Sequence, residues 1–231
     1  MSQIVRSHSN VKIIVMGSKK KIVVRESKLF GMYAFELYCL TSNIKRNCEH
    51  LFEIAPPKAD GTYLKCLNEA HGIISAVLSD CTKVKRLTEA VQKSDNESLR
   101  QFEFRSERVQ EMKHLLEGVK LEEMLNPKIR NTLEHFDEYL DKANIDLTLR
   151  GDPKATCAFT NLVISDWEHV KNEVIYPIRV YIANEKTFYN MKWSINLGKI
   201  HAEATDILNH LDSHPETKDL SRVGAMVVKL K

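Results

Sequence analysis

From Ser27 to about residue 145 the apolar residues recur at intervals of three and four, in four runs separated by prolines, glycines or short polar links. An α-helix needs that period to bury one face, so the stretch is confined to amphipathic helices packed on each other. Phe30, Tyr33, Leu37, Leu40, Ile44 and Leu51 line the first helix, and Ala55-Pro56-Pro57 ends it because proline cannot continue the hydrogen-bond ladder. Tyr63, Leu67, Ala70, Ile74, Val77, Cys81 and Val84 line a second, longer one. The polar link Ser94-Asp95-Asn96-Glu97 offers N-cap residues to a third, whose apolar side is Phe102, Val109, Met112, Leu116 and Val119. Asn126-Pro127 is the sharpest helix start in the chain: asparagine accepts from free amides, and proline at the first helical position loses no bond. Ile129, Leu133, Phe136 and Leu140 then make one narrow apolar stripe, predicting a single continuous helix.

The flanking segments read differently. Before the helices, Val11 to Val15 and Ile22 to Val24 are β-branched runs around the basic knot Lys19-Lys20-Lys21, which fits a short β-hairpin or a basic arm over residues 1–26. The three lysines are candidate contacts for RNA phosphates, although lysines in a turn are most often merely solvated. After Gly151-Asp152-Pro153, Ile178 to Ala183 alternates as a strand, Asn184-Glu185-Lys186 can turn, and Tyr189, Met191, Trp193 and Ile195 alternate on the return. Phe159 to Ile164 is a candidate third strand. Ile200, Ala204, Ile207, Leu208 and Leu211 mark a last amphipathic helix. The expected fold is therefore mainly α: an antiparallel helical bundle over residues 27–150, with a small antiparallel β-hairpin appendage and a C-terminal helix over 151–231, packed on the bundle.

A chain of 231 residues can bury a substantial core. The five cysteines, Cys39, Cys48, Cys66, Cys81 and Cys157, form no Cys-x-x-Cys pair and fall mostly on apolar stripes, so they read as reduced core residues. The sequence offers no bilayer-length apolar run and no secretory h-region, which sets the expectation of a cytoplasmic protein without membrane contact. A net charge of +3 permits a nucleic-acid partner without requiring one.

Several catalytic signatures are missing. Gly17-Ser18-Lys19 lacks the upstream glycine of a phosphate loop, and neither a Gly-x-Ser-x-Gly elbow nor a His-Glu-x-x-His zinc helix occurs. Asp206, His210 and His214 are spaced to share a helix face, but the first and last lie about 12 Å apart along the axis, too far for one ion. No metal and no cofactor is expected.

The informative stretch is Arg130-Asn131-Thr132-Leu133-Glu134-His135. It resembles the HEPN superfamily, whose signature is an arginine followed by a polar residue, often asparagine, with a histidine four to six residues later. The longer string to Glu138 also looks like that of a group of bacterial proteins in which a helical part is followed by a β-hairpin and a closing helix. A second match to the bare spacing, Arg108 to His114, has Val109 where the polar residue belongs and sits in mid-helix. The resemblance implies a metal-independent endoribonuclease, a toxin or phage-defence effector, acting as a homodimer with an antitoxin or regulatory partner. Arg130, Asn131 and His135 would be the catalytic residues. Some HEPN toxins carry a modified tyrosine two residues after the histidine; here that position is Asp137, and Tyr139 stands a turn beyond.

These residue types suit attack of an RNA 2′-hydroxyl on its neighbouring phosphate, leaving a 2′,3′-cyclic end. His135 would move the proton, Arg130 would hold the phosphoryl charge with its planar fork, and Asn131 would orient either. A five-residue step turns a helix by about 140° net, so Arg130 and His135 diverge on one helix. The resemblance resolves this by placing two such helices across a two-fold axis. Two rival readings stand beside it: a non-catalytic HEPN-like module binding a nucleotide, RNA or protein, and a helical scaffold docking a partner strand on its hairpin. The plainest reading of the motif is an Arg130–Glu134 surface bridge with a surface histidine beside it.

Overall fold

The structure is a computed structural model that describes residues 13–16, 19–22, 27, 29–58, 64–65, 67–89, 92–126, 128–150, 155, 157–170, 174–220, 225 and 227–228. Tyr63, Cys66, Pro127 and the Gly151-Asp152-Pro153 break lie outside them. Strands β1 (Ile13–Met16) and β2 (Lys19–Ile22) pair as an antiparallel hairpin, so Lys19, Lys20 and Lys21 sit on β2 rather than in a turn.

The helical part follows the apolar periods closely. Helix α1 spans Phe30–Ile54 and buries Leu37, Leu40, Ile44, Cys48 and Leu51. After the two-residue strand β3 (Leu64–Lys65) comes α2, Asn68–Thr88, burying Ala70, Ile74, Val77, Cys81 and Val84. Helix α3, Leu99–Leu115, is capped by Ser98 rather than by the preceding polar link. The Ser98 hydroxyl accepts from the Gln101 amide while the Gln101 side chain returns to the Ser98 amide, closing a capping box. Gly118 ends the segment beyond it with φ +90, a left-handed turn that any side chain would strain.

The expected fourth helix is two helices. Asn126 Oδ1 accepts from the Lys128 amide at 3.1 Å, starting α4 (Lys128–Glu134); α5 runs Phe136–Ile145, and a π-helical turn, Asp146–Arg150, follows. His135 stands at the break with φ −112 and ψ 45, although its amide still bonds Asn131 O and its carbonyl still accepts from Tyr139 N. The bend divides the predicted stripe. Ile129 and Leu133 stay in the helical core, while Phe136 and Tyr139 turn toward the sheet to meet Arg179 and Trp193.

The C-terminal part overturns the expected antiparallel hairpin appendage. A five-stranded mixed sheet runs in the order β3-β4-β5-β6-β7, with β4 (Cys157–Ile164) parallel to β5 (Ile175–Ile182) across a connection carrying a short 3-10 turn, Trp167–Val170. The return strand is itself folded, into β6 (Thr187–Asn190) and β7 (Trp193–Asn196) about a tight turn at Met191. Local alternation shows that a segment is extended, but not which strand it will pair with or in which direction, and that is where the expectation failed. Both faces of the sheet are covered. Val163, Tyr181, Phe188 and Ile195 join the core of α1, α2 and α6, while Ile164, Val180 and Ile182 pack under Trp167 and Tyr189.

Helix α6, Leu197–Ser213, closes the fold against α1 and holds it to the α3–α4 loop by a reciprocal clasp. The Glu203 carboxylate accepts from three consecutive amides, Glu122 and Glu123 on one oxygen and Met124 on the other, at 2.8–2.9 Å. In return Glu123 accepts from the amide of Asn196 at 2.6 Å, and Asn196 caps α6 by accepting from Lys199 N. Carboxylate–amide bonds are the strong kind, and three donors lose their acceptor together if it goes. Glu203→Ala should lower unfolding free energy by about 2 kcal/mol, with Glu203→Gln losing less because its single carbonyl oxygen keeps some acceptance. Urea titrations of the three proteins measure this; an unchanged midpoint for the alanine variant would show that the clasp contributes nothing.

Candidate functional site

Helix α4 presents its motif residues in different directions. Arg130 reaches into the seam against α2, where Nη1 donates to Thr82 Oγ1 at 3.2 Å and the side chain is 25 % exposed. Its Nε lies 3.3 Å from Glu134 Oε2, inside ion-pair range but outside hydrogen-bond geometry, so the buried Nε–H has no acceptor. Beside it is a cavity of about 10 Å³ lined by Leu78, Cys81, Lys85, Asn126 and Ile195, room for a single water. His135, by contrast, is 57 % exposed, with Nδ1 3.5 Å from Glu138 Oε1. Asn131 is half-buried one turn before it. The chain therefore brings Asn131 and His135 to one side of the helix and leaves Arg130 on another, as the 140° divergence requires.

The second match resolves cleanly. Arg108 is buried, donates from Nη2 to the Arg86 carbonyl at 3.0 Å in the last turn of α2, and stacks 5.2 Å from the centre of the Tyr33 ring. It closes a helix C-terminus, where carbonyls point outward unbonded and a cation is favoured. His114 is exposed, 3.3 Å from Glu117. Nothing brings the two together.

Two further expectations can be placed. Cys48 and Cys81 are buried free thiols and Cys39 and Cys157 half-buried ones; burial pushes the Cys48 thiol up to about 12, which keeps it protonated. His210 donates from Nε2 to Leu115 O at 2.7 Å, so this ring fastens α6 to the end of α3. Among the described residues no trio of His, Cys, Asp or Glu is arranged to hold a metal ion, and no helix is long and apolar enough to cross a membrane.

Sequence reading missed a polar group where the sheet meets the motif helix. Asn190, fully buried, donates to Thr132 Oγ1 at 2.7 Å and accepts from the Arg179 amide at 3.2 Å, so α4 is tied at Thr132 directly to β5 and β6. The Arg179 guanidinium lies over the Phe136 ring, 4.4 Å from its centre. His71, in the first turn of α2, meets Phe188 edge-on and has both ring nitrogens buried, neither in full hydrogen-bond geometry with a described residue although the Asn161 carbonyl approaches the ring. Burial lowers the His71 pKa from its ordinary value; the Asn161 carbonyl partly offsets this and the charge of Arg179 adds to it. An arginine between Ile178 and Val180 was the only signal in the sequence.

Half-exposed Trp193 carries the Tyr139 ring edge-on at 5.1 Å and the exposed Lys192 ammonium 4.8 Å from its ring centre, so an aromatic face and a cation lie together beside α5. No protein-family model, no curated protein and no solved structure matches the chain.

The two residues of the second match should behave oppositely when replaced. Arg108→Met should cost about 1–3 kcal/mol, since the Arg86 carbonyl loses a charged donor and Tyr33 its cation, while His114→Ala should stay within about 0.5 kcal/mol of the parent. Thermal or urea melts decide it, and a neutral Arg108→Met would refute the capping role.

Proposed function

We propose that this chain binds RNA without cutting it, as a non-catalytic relative of the HEPN nucleases. The commitment of Arg130 carries the reading: its guanidinium is held by Thr82 and Glu134 in the α2–α4 seam, turned from His135. Phosphoryl-transfer catalysis needs the cation and the proton carrier at one phosphate, and a guanidinium already facing a carboxylate has little field left for a second anion. Binding asks less. Trp193 with Lys192 offers a base-stacking surface and a phosphate contact side by side, the combination by which single strands are held without sequence readout.

A second reading, the homodimeric nuclease, draws on the open position of His135 with Asn131 one turn earlier. It requires a partner protomer to supply the missing arginine.

Fluorescence anisotropy with labelled single-stranded RNA, run beside a gel assay of the same RNA in EDTA, separates the two. The expected result is binding that weakens steeply with salt, falls several-fold in Lys192→Glu, is unchanged in His135→Ala, and leaves the RNA intact. Cleavage that persists in EDTA and drops 10²–10⁴-fold in His135→Ala, from a protein that sediments as a dimer, would establish the nuclease instead. No binding and no cleavage would reject both.

A further inference from the structure

Strands β4 and β5 pair in register at Thr160↔Ile178 and again at Leu162↔Val180, but the level between them is not paired. The residues at that level, Asn161 and Arg179, both adopt left-handed backbone, with φ 54 and φ 58. Asparagine tolerates this region; arginine rarely enters it, and the conformation persists only where its surroundings hold it there. Three contacts hold Arg179. Its amide is fixed by Asn190, Asn190 is fixed by Thr132 of α4, and its guanidinium rests on Phe136 of α5.

What the guanidinium lacks is an anion. Arg179 makes no ion pair and donates no side-chain hydrogen bond to any described residue, and its Nε is buried without an acceptor. His71, on α2, lies close enough to feel its charge, and its two ring nitrogens are buried with no partner at full hydrogen-bond geometry among the described residues; the Asn161 carbonyl approaches the ring but does not close a well-aligned bond. Buried N–H groups without acceptors cost free energy, and a native structure rarely leaves several together. The contrast inside this chain is instructive. Arg105, Arg108 and Arg130 each donate to a carboxylate, carbonyl or hydroxyl oxygen, whereas Arg179 is positioned as firmly and has none.

We infer that Arg179 and His71 form an anion site between β5 and the first turn of α2, built for a phosphate group. A guanidinium held over an aromatic ring keeps its terminal donors for a phosphate's oxygens, and a neighbouring imidazole N–H adds a neutral donor. The site is separate from the Trp193–Lys192 surface and does not depend on the RNA reading: the phosphate belongs either to a free mononucleotide or inorganic ion, or to an RNA backbone. It shares the α4–α5 junction with the HEPN-like motif, because Phe136, under Arg179, directly follows His135.

The test is NMR of the full chain labelled uniformly with nitrogen-15, following the His71 ring and the backbone amide of Arg179, titrated with sodium phosphate against sodium chloride at equal ionic strength, then with AMP and with a short single-stranded RNA. The expected result is a saturable shift of the His71 ring resonances with phosphate but not chloride. Affinity should fall about tenfold or more in Arg179→Met. Because Arg179 also packs on Phe136, His71→Gln is the companion variant; it should weaken phosphate several-fold while its melting curve stays near the parent's. Saturation by phosphate or AMP identifies a free phosphate ligand, and saturation by RNA alone identifies a backbone phosphate; both support the site. A His71 resonance that none of the three moves, or an Arg179 amide shift that survives unchanged in folded His71→Gln together with a His71 shift unchanged in folded Arg179→Met, overturns it. Loss of RNA binding in Lys192→Glu with phosphate still shifting His71 leaves this site standing on its own.

Discussion

One carboxylate fixes where the motif helix begins. Glu203 gathers the amides of residues 122 to 124, and Glu123 answers by holding the start of α6, so the loop before α4 and the last helix cannot move independently. Asn196 ties the same point to the sheet, donating from its amide to Glu185 O and Thr187 Oγ1. Three backbone donors that would otherwise need water are satisfied by one charged acceptor on a rigid helix. The direction of α4 follows from that bracket, and so does the entry of Arg130 into its seam.

From there the structure separates residues that a linear motif groups. The break at His135 lets the chain serve two surfaces: Ile129 and Leu133 fill the helical core, while Phe136 and Tyr139 pack on the sheet. A straight helix would hold Ile129, Leu133 and Phe136 in one sector, all facing the same neighbour. The motif's polar residues are distributed by the same bend, with Arg130 inward toward Thr82 and His135 outward. Arg108 shows how the same two residue types at similar spacing can be wholly structural, since its guanidinium closes α2 and touches nothing catalytic.

The parallel pairing of β4 and β5 is the feature that gives the fold a second polar locus. It sets two left-handed residues opposite each other in mid-sheet and directs Arg179 onto the helical side, where its guanidinium lies over Phe136. Left-handed backbone at a non-glycine residue costs roughly 1–2 kcal/mol. Here Asn190 and Phe136 offset that cost at Arg179. Among the described residues no well-aligned hydrogen bond offsets the desolvation of the Arg179 Nε or the His71 ring nitrogens.

The sequence by itself determined the helices, because helical burial is a local matter: a period of 3.6 residues, a proline pair, an Asn-Pro start and an apolar face can all be read from neighbours along the chain. It also marked β5, β6 and the last helix as elements, and singled out Arg130, Asn131 and His135 as the residues most worth following. Tertiary structure alone decided the rest. Whether β4 lies parallel to β5, whether the α4 stripe bends at His135, and whether Arg130 reaches Thr82 or open solvent depend on partners distant along the chain, such as Thr82 for Arg130, 48 residues away, and Glu203 for the loop at 122–124, 81 residues from Glu122. Periodicity shows which face a side chain occupies, but only packing decides what lies opposite that face, and the chemistry of Arg130, His71 and Arg179 is set by what lies opposite.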